Sequence, residues 1–171
     1  AASLEARGGG SYAGLNASAA TFTCAGLAGG LGAWAGGALA DRWGRTTLTM
    51  AAMAVSGLCA VLIGLTFGGP PPLTLLVAVV WGATVIADSA QFSTAMTELA
   101  PAAYVGTALT TQTCLGFALT MVSIWLIPPA VAWAGWRWAF ALLAVGPALG
   151  VVAMARLRAM PEARLMAGGR G

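Results

Sequence analysis

The sequence predicts an all-α membrane protein with five transmembrane helices, and three observations support that prediction. Of the 171 residues, 59% are hydrophobic and only 8% are charged, and the mean hydropathy is +0.85. Roughly a quarter of the residues in a typical soluble domain are charged. The apolar residues form long runs, and the charges fall between these runs. We therefore expect lipid to surround most of the chain.

Turns rich in glycine, proline or charge separate the five predicted spans. The spans cover approximately 12–40, 46–67, 73–96, 105–126 and 139–157, followed by a cytoplasmic tail at 158–171. Each run is long enough to cross a hydrocarbon layer of about 30 Å. Gly68-Gly69-Pro70-Pro71-Pro72 should break the helix, because proline lacks an amide donor. Pro128-Pro129 should end or kink the fourth span, and Gly146-Pro147 should kink the fifth.

The first span is rich in glycine and alanine. It contains two pairs of small residues spaced four apart, Gly26/Gly30 and Gly32/Gly36. In lipid, apolar burial alone gives no driving force for helix association. Small residues at this spacing let two helix backbones approach closely. We predict a helix-packing face here. The alternative is a Gly/Ala-rich composition without a packing role.

The arginines predict how the chain is oriented in the membrane. All eight basic residues are arginine. If the spans alternate in direction, two arginines lie on one side, at positions 7 and 137, and six lie on the other, at 42, 45, 156, 158, 164 and 170. The positive-inside rule places the six-arginine side and the carboxyl terminus in the cytoplasm. We expect an integral protein of a plasma membrane, of the bacterial inner-membrane kind.

The composition argues against several other classes of protein. Nucleic-acid binding would need basic residues gathered on one face with aromatic platforms, whereas these arginines lie at the ends of apolar runs. The three cysteines lie in separate apolar runs and the sequence has no histidine, so we predict no metal site. We also predict no cofactor, because nothing resembles a phosphate-binding loop for ATP. The chain begins with Ala1 and has an odd number of spans, so we expect a piece of a longer protein.

A short charged turn lies between the first two predicted spans. Its sequence, Gly37-Ala38-Leu39-Ala40-Asp41-Arg42-Trp43-Gly44-Arg45, resembles the loop signature of the major facilitator superfamily of transporters. That signature reads glycine, any residue, Leu, Ala, Asp, Arg, any residue, Gly and Arg, and a second basic residue usually follows. Here Thr46 takes the last position, which removes one cation from the turn.

The resemblance implies a gating role for five residues of this turn, Gly37, Asp41, Arg42, Gly44 and Arg45. In the family, the loop stabilises one conformation through charge contacts at the cytoplasmic face. We expect Gly37 to allow close approach of the paired helices and Gly44 to permit the turn. The helix dipole disfavours Asp41 at the end of its helix unless a cation compensates, and Arg42 and Arg45 can supply one. The alternative is that these arginines only set the membrane topology.

Further features resemble the second half of such a transporter, at about helices eight to twelve. The third span has no basic residue where the first half usually carries a buried arginine, and the fourth lacks the Gly-Pro-rich pattern often seen in the first half. Glu98-Leu99-Ala100-Pro101 resembles the connector before the eleventh helix, and the stretch 135–140 resembles the lead-in to the last helix of a half. The resemblance therefore implies part of a six-helix half-bundle. That connector often has arginines where this chain has Ala103 and Val105, so we expect few ionic contacts around the turn, with Asp41 held by its own neighbours.

Asp88 is the second candidate site residue. It lies within the third span, about 5 Å along the axis from the midpoint at 1.5 Å per residue. At 100° per residue, Trp81, Thr84, Asp88 and Gln91 fall within a stripe of about 80°. Such a stripe suits a water-filled cavity, so we predict a proton or substrate site at Asp88, Gln91 and Trp81. The alternatives are a structural ion pair or hydrogen bond, or a position near the cytoplasmic mouth. Glu98 is expected to be solvated or to pair with an arginine of the turn.

The resemblance implies a secondary active transporter that moves a small solute by alternating access. Its energy source would be protons or another coupling ion, with the protein acting as a symporter or antiporter. The implied partners are membrane lipid, a missing N-terminal half, a small-molecule substrate and the coupling ion. The alternative function is a polytopic membrane scaffold or assembly subunit without transport activity. An enzyme is not predicted, because one buried carboxylate and no histidine provide little for acid–base chemistry.

Overall fold

The computed structural model describes residues 11–12 and 15–169 of the chain, and most of these residues are helical. Two short strands, β1 (Ser11–Tyr12) and β2 (Leu15–Asn16), pair antiparallel before the first helix. Helix α1 covers Ala17–Trp43, so it begins later than the predicted start of the first span at residue 12. Residues 1–10, which include the arginine at position 7, and Arg170 lie outside the described residues.

Helices α2 (Arg45–Leu65) and α3 (Pro71–Leu99) flank the predicted glycine–proline break. Gly68 has a φ of 76°, which a residue with a side chain adopts only at a cost. The amide of Gly69 donates to the carbonyl of Thr66 at 2.8 Å and closes the turn. The first two residues of α3 are prolines, and this position is compatible with proline because first-turn amides have no partner within the helix.

The fourth span extends further than the sequence predicts. A 3-10 turn at Ala102–Tyr104 leads into helix α4, Val105–Ala134, which contains both Pro128 and Pro129. Of the two predicted outcomes, an end or a kink at these prolines, the end is therefore wrong. Gly135, with a φ of 71°, follows the last residue of α4. A membrane helix tolerates internal proline when neighbouring groups or local distortion satisfy the carbonyls that lose a donor.

The fifth span is composite. A short helix α5 (Trp136–Ala139) passes into a 3-10 segment (Phe140–Ala144) and then into α6 (Val145–Arg158). The change in helix type thus precedes Gly146-Pro147, where a kink was predicted. Pro147 instead occupies the first turn of α6, where its ring and missing donor are tolerated. A final 3-10 turn, Pro161–Leu165, lies in the predicted cytoplasmic tail at 158–171.

Glycine packing joins α1 to α3. A Cβ built on Gly32 would lie 2.8 Å from the Cα of Ala83, and one on Gly36 would lie 3.2 Å from a neighbouring alanine side chain. Gly26 and Gly30, in contrast, have no atom within 4 Å of a built Cβ. One of the two predicted small-residue pairs therefore forms the packing face. Gly32 meets backbone atoms of α3, and Gly29 meets the side chain of Ile86 and the backbone of Gly82, so the two helices approach closely, as expected for helices that associate in lipid.

Helix α2 packs against the last span by similar close approaches. A Cβ on Gly57 would lie 3.3 Å from the ring of Pro147, and one on Gly64 would overlap the carbonyl oxygen of Arg137. A Cβ on Gly150 would overlap the side chain of Met53. Helix α2 therefore lies at the centre of the bundle, between α3 and the composite last span.

Four described helical segments are long and apolar enough to cross a membrane, namely Arg45–Leu65, Pro71–Leu99, Ala102–Ala134 and Trp136–Arg158. Helix α1, with 27 residues, has the length for a fifth span. Helix α4 has no buried residue and exposes large apolar side chains such as Phe117 and Trp125. Such surfaces are expected where lipid replaces water as the solvent. These helices indicate an integral membrane protein of the all-α class.

Candidate functional site at the turn between α1 and α2

Gly44 forms the whole connection between α1 and α2. Its φ of 91° and ψ of 142° lie in a region that residues with side chains rarely adopt. The amide of Gly44 donates to the carbonyl of Ala40 at 3.0 Å, and its own carbonyl accepts from Leu48 at 3.2 Å. The turn thus ends one helix and starts the next within a single residue, as predicted for Gly44. This geometry places Arg45 at the first position of α2.

Arg45 is buried and binds two side chains of α3. Its guanidinium donates from Nε to Oε2 of Glu98 at 2.9 Å and from Nη2 to Oε1 at 2.8 Å. Nη1 donates to Oε1 of Gln91 at 2.7 Å. A two-point contact between guanidinium and carboxylate is stronger and more directional than a single contact. Arg45 therefore fastens the start of α2 to the end of α3.

Asp41 makes a weaker contact with the same guanidinium. Its Oδ1 lies 3.6 Å from Nη2 of Arg45, and its side chain is 70% exposed. An exposed ion pair at that distance contributes little to stability, about 0–1 kcal/mol. Asp41 thus contacts a neighbour in its own turn, as expected, whereas Glu98 provides the short contacts of Arg45. We refer to Arg45, Glu98, Gln91 and Asp41 as the Arg45 cluster.

Glu98 also binds the chain beyond the last helix. Its Oε2 accepts a hydrogen bond from the amide of Ala167 at 3.3 Å. Met166 is fully buried, and it packs with Ala163 against Ala95 of α3. Of the two alternatives for Glu98, solvation or pairing with an arginine of the turn, the structure therefore shows the pairing. The predicted tail folds back onto the end of α3.

The other predicted residues of the turn have different surroundings. Arg42 is exposed, and a Cβ built on Gly37 meets no atom within 4 Å. The close approach expected of Gly37 is made by Gly36, its neighbour, which is buried against α3. Thr46, at the position where the signature usually has a cation, is fully buried, and its hydroxyl has no hydrogen-bond partner among the described residues. A cation at that position would be buried as well, at a large cost in desolvation.

The predicted polar stripe of α3 is divided among different neighbours. The indole of Trp81 donates to the Ser56 hydroxyl of α2 at 3.2 Å and packs edge-on against Phe140 at a centroid distance of 6.2 Å. Gln91 is buried and belongs to the Arg45 cluster. Asp88 is half-buried and accepts a hydrogen bond from Ser89 at 3.2 Å. The three predicted site residues thus have separate partners instead of a common set of contacts.

Two contacts were not anticipated from the sequence. Ser56 was not singled out, although a hydroxyl in an apolar helix is a common partner for a buried indole. Gln112 of α4 donates to Ser93 of α3 at 3.5 Å, and its carbonyl oxygen is buried without a partner among the described residues. Neither pair has a local sequence signal, because 25 and 19 positions separate the partners.

The fold and the site together define an all-α membrane protein with a buried, multiply bonded arginine near one end of its helices. No model of a known protein family, no curated protein and no solved structure matches the chain.

Proposed function

We propose that the chain is part of a secondary active transporter of the major facilitator type, moving a small solute by alternating access. The observation that carries this proposal is the two-point pairing of Arg45 with Glu98 across two helices. Arg45 belongs to the turn that resembles the family's loop signature, and Glu98 lies at the end of α3. In the proposal, the Arg45 cluster holds the cytoplasmic ends of α2 and α3 together in one state and separates in the other.

A contact controls a two-state equilibrium only if it differs between the two states. Hydrogen bonds to charged groups contribute about 1.5–3 kcal/mol each, and their loss leaves a buried charge unpaired. A difference of about 2–3 kcal/mol between the states would change their populations about 30- to 150-fold. The contacts of the Arg45 cluster can therefore contribute enough free energy to set the resting conformation. The exposed pair with Asp41 alone cannot.

A flux assay tests this function. We expect proteoliposomes containing the longer protein to accumulate a labelled solute from a panel of sugars, amino acids and organic cations when a pH gradient is imposed. Residues 1–171 reconstituted alone should give no flux, because the site of such a transporter lies between its two halves. Flux from the isolated chain would contradict the proposal. If neither preparation gives flux, and if the gene encodes no spans upstream of Ala1, the result would favour the alternative function, a membrane scaffold.

Asp88 is the proposed proton-coupling residue, because it is the carboxylate of α3 that lies within the span and is half-buried. If one proton moves with each solute, a gradient of one pH unit should drive about tenfold accumulation in the parent protein. Asp88→Asn should abolish this accumulation but leave solute exchange at equal pH, because an amide cannot load a proton. The measurement is accumulation against imposed gradients, followed by exchange without a gradient.

Glu162→Gln is the matched control, since it also removes one carboxylate, from an exposed position in the tail. It should accumulate solute as the parent does. If Asp88→Asn also kept the parent's dependence on the gradient, Asp88 would have only a structural role. The gating role of Arg45 would then still stand, because it does not depend on the coupling ion.

A further inference from the structure

A cavity of about 420 Å³ lies between the end of α6 and the chain that follows it. Its lining includes Arg158 and Arg164 together with Ala159, Pro161 and Gly169. This volume falls within the range of about 300–1,000 Å³ that is typical of small-molecule sites. The Arg45 cluster uses none of these residues.

The far wall of the cavity is anchored to the helix bundle. Ala163 and Met166 are buried against the end of α3, and the amide of Ala167 is bonded to Glu98. Positive φ angles from Ala167 to Gly169 then turn the chain back, so that Gly169 reaches the cavity. The amide of Gly169 donates to the carbonyl of Met166 at 3.0 Å and closes that turn. The cavity is therefore formed by the folded chain before any ligand binds.

The charges at the cavity are positive. Arg158 and Arg164 are both exposed, so their guanidinium groups are available to a ligand. Glu162, the acidic residue of the same turn, does not line the cavity. A guanidinium presents several N–H donors in a plane, which matches the oxygen geometry of phosphate. Arg158 is also the last residue of α6, where a membrane-spanning helix would leave the hydrocarbon for the headgroup layer.

We propose that this cavity binds a phosphate group at the cytoplasmic membrane surface, held by Arg158 and Arg164. The phosphate belongs either to an anionic lipid headgroup or to a soluble ion, and the chemistry of recognition is the same for both. Basic pockets beside membrane helices on the cytoplasmic side are suited to anionic headgroups. This inference needs the membrane orientation but does not rest on the proposed transport activity.

The decisive variant blocks the cavity without changing charge. Ala159 lines the cavity and is exposed, so Ala159→Trp should fill it, whereas Ala155→Trp places the same side chain one turn earlier, outside the lining. The full chain in neutral detergent is mixed with short-chain phosphatidylglycerol, and bound lipid is counted by native mass spectrometry. Ala159→Trp should lose the bound lipid, and Ala155→Trp should retain it. Equal binding by the two variants would overturn the proposal.

Arginine variants then test the chemistry. Arg164→Gln should weaken binding about fivefold, and its combination with Arg158→Gln should weaken it about 25-fold. Arg156→Gln removes the same charge from an exposed position outside the cavity and should change binding less than twofold. Equal losses for Arg156→Gln and Arg164→Gln would indicate attraction by net charge alone and overturn the site. Helical content by circular dichroism checks that each variant is folded.

The source of the phosphate is resolved by competition. Inorganic phosphate that displaces phosphatidylglycerol from the parent, but does not bind Ala159→Trp, would identify a soluble anion as a second ligand of the same site. Phosphatidylglycerol binding that inorganic phosphate does not displace would assign the site to lipid. If the parent and Ala159→Trp bind zwitterionic phosphatidylcholine equally, and if the parent shows no preference for the anionic lipid, these two results together would contradict a phosphate site held by arginines.

Discussion

Arg45→Ala should lower the free energy of unfolding by about 2–3 kcal/mol, the largest single effect expected in this chain. The guanidinium forms three short hydrogen bonds, and its loss leaves the carboxylate of Glu98 without its cation. This loss of stability is smaller than the loss expected for a fully buried ion pair, because a quarter of the Glu98 side-chain surface is exposed. Equilibrium unfolding of the purified chain in mixed detergent micelles measures the change.

Arg42→Ala is the matched control, because it removes the same charge from the same turn at an exposed position. It should change stability by less than about 0.5 kcal/mol. The double variant Arg45→Ala/Glu98→Ala should be more stable than Arg45→Ala alone, since removing both partners leaves no unpaired charge. Equal effects of Arg42→Ala and Arg45→Ala would mean that the turn acts only through its net charge, as a topology signal.

Gly32→Ala should destabilise the chain by about 1–3 kcal/mol by forcing α1 away from α3. A Cβ at Gly32 would come within 3 Å of the Cα and carbonyl carbon of Ala83. These are backbone atoms, which cannot rotate away as the end of a long side chain can. The backbone of one helix must move, and the dispersion contacts along the interface weaken. The same unfolding experiment measures the loss.

Gly30→Ala should have the opposite sign. Gly30 lies in the same helix with no atom within 4 Å of a built Cβ. Alanine should therefore stabilise α1 by up to about 1 kcal/mol through helix propensity alone. The two substitutions are chemically identical, so a difference in sign can arise only from the neighbouring helix. If both variants were stabilised, the close packing of α1 on α3 would be wrong.

Much of the fold was predictable because the period and length of apolar runs are local properties. The runs around 46–67, 73–96 and 105–126 correspond to α2, α3 and α4, although α4 continues past Pro128 and Pro129 to Ala134. The prolines were misleading because a membrane helix can tolerate donors missing from its interior. The composite last span was also not predicted. Its 3-10 segment has no helix-breaking residue, since Phe140–Ala144 consists of alanine, leucine and phenylalanine.

The site was predictable only in part. Gly44 and Arg45 were identified from a pattern of neighbouring residues, and the positive φ of Gly44 follows from that pattern. Pairing of Glu98 with an arginine of the turn was one of two alternatives from the sequence, and the sequence could not decide between pairing and solvation because Glu98 lies 53 positions from Arg45. Sequence also could not say which glycines face α3, since small helical rotations decide whether Gly36 or Gly37 meets the neighbouring backbone.

The sequence by itself determined the solvent of the chain and the positions of its first two turns, at Gly44 and at Gly68-Gly69-Pro70. Hydropathy and the special conformations of glycine and proline act within a few residues, so they can be read without knowing the fold. Only the tertiary structure decided the contacts of each charge. Arg45 is fixed by Glu98, and Glu98 binds Ala167 of the returning tail, because helix packing brings distant segments within 3.3 Å. The free energy of such contacts depends on burial, and burial is a property of the assembled helices.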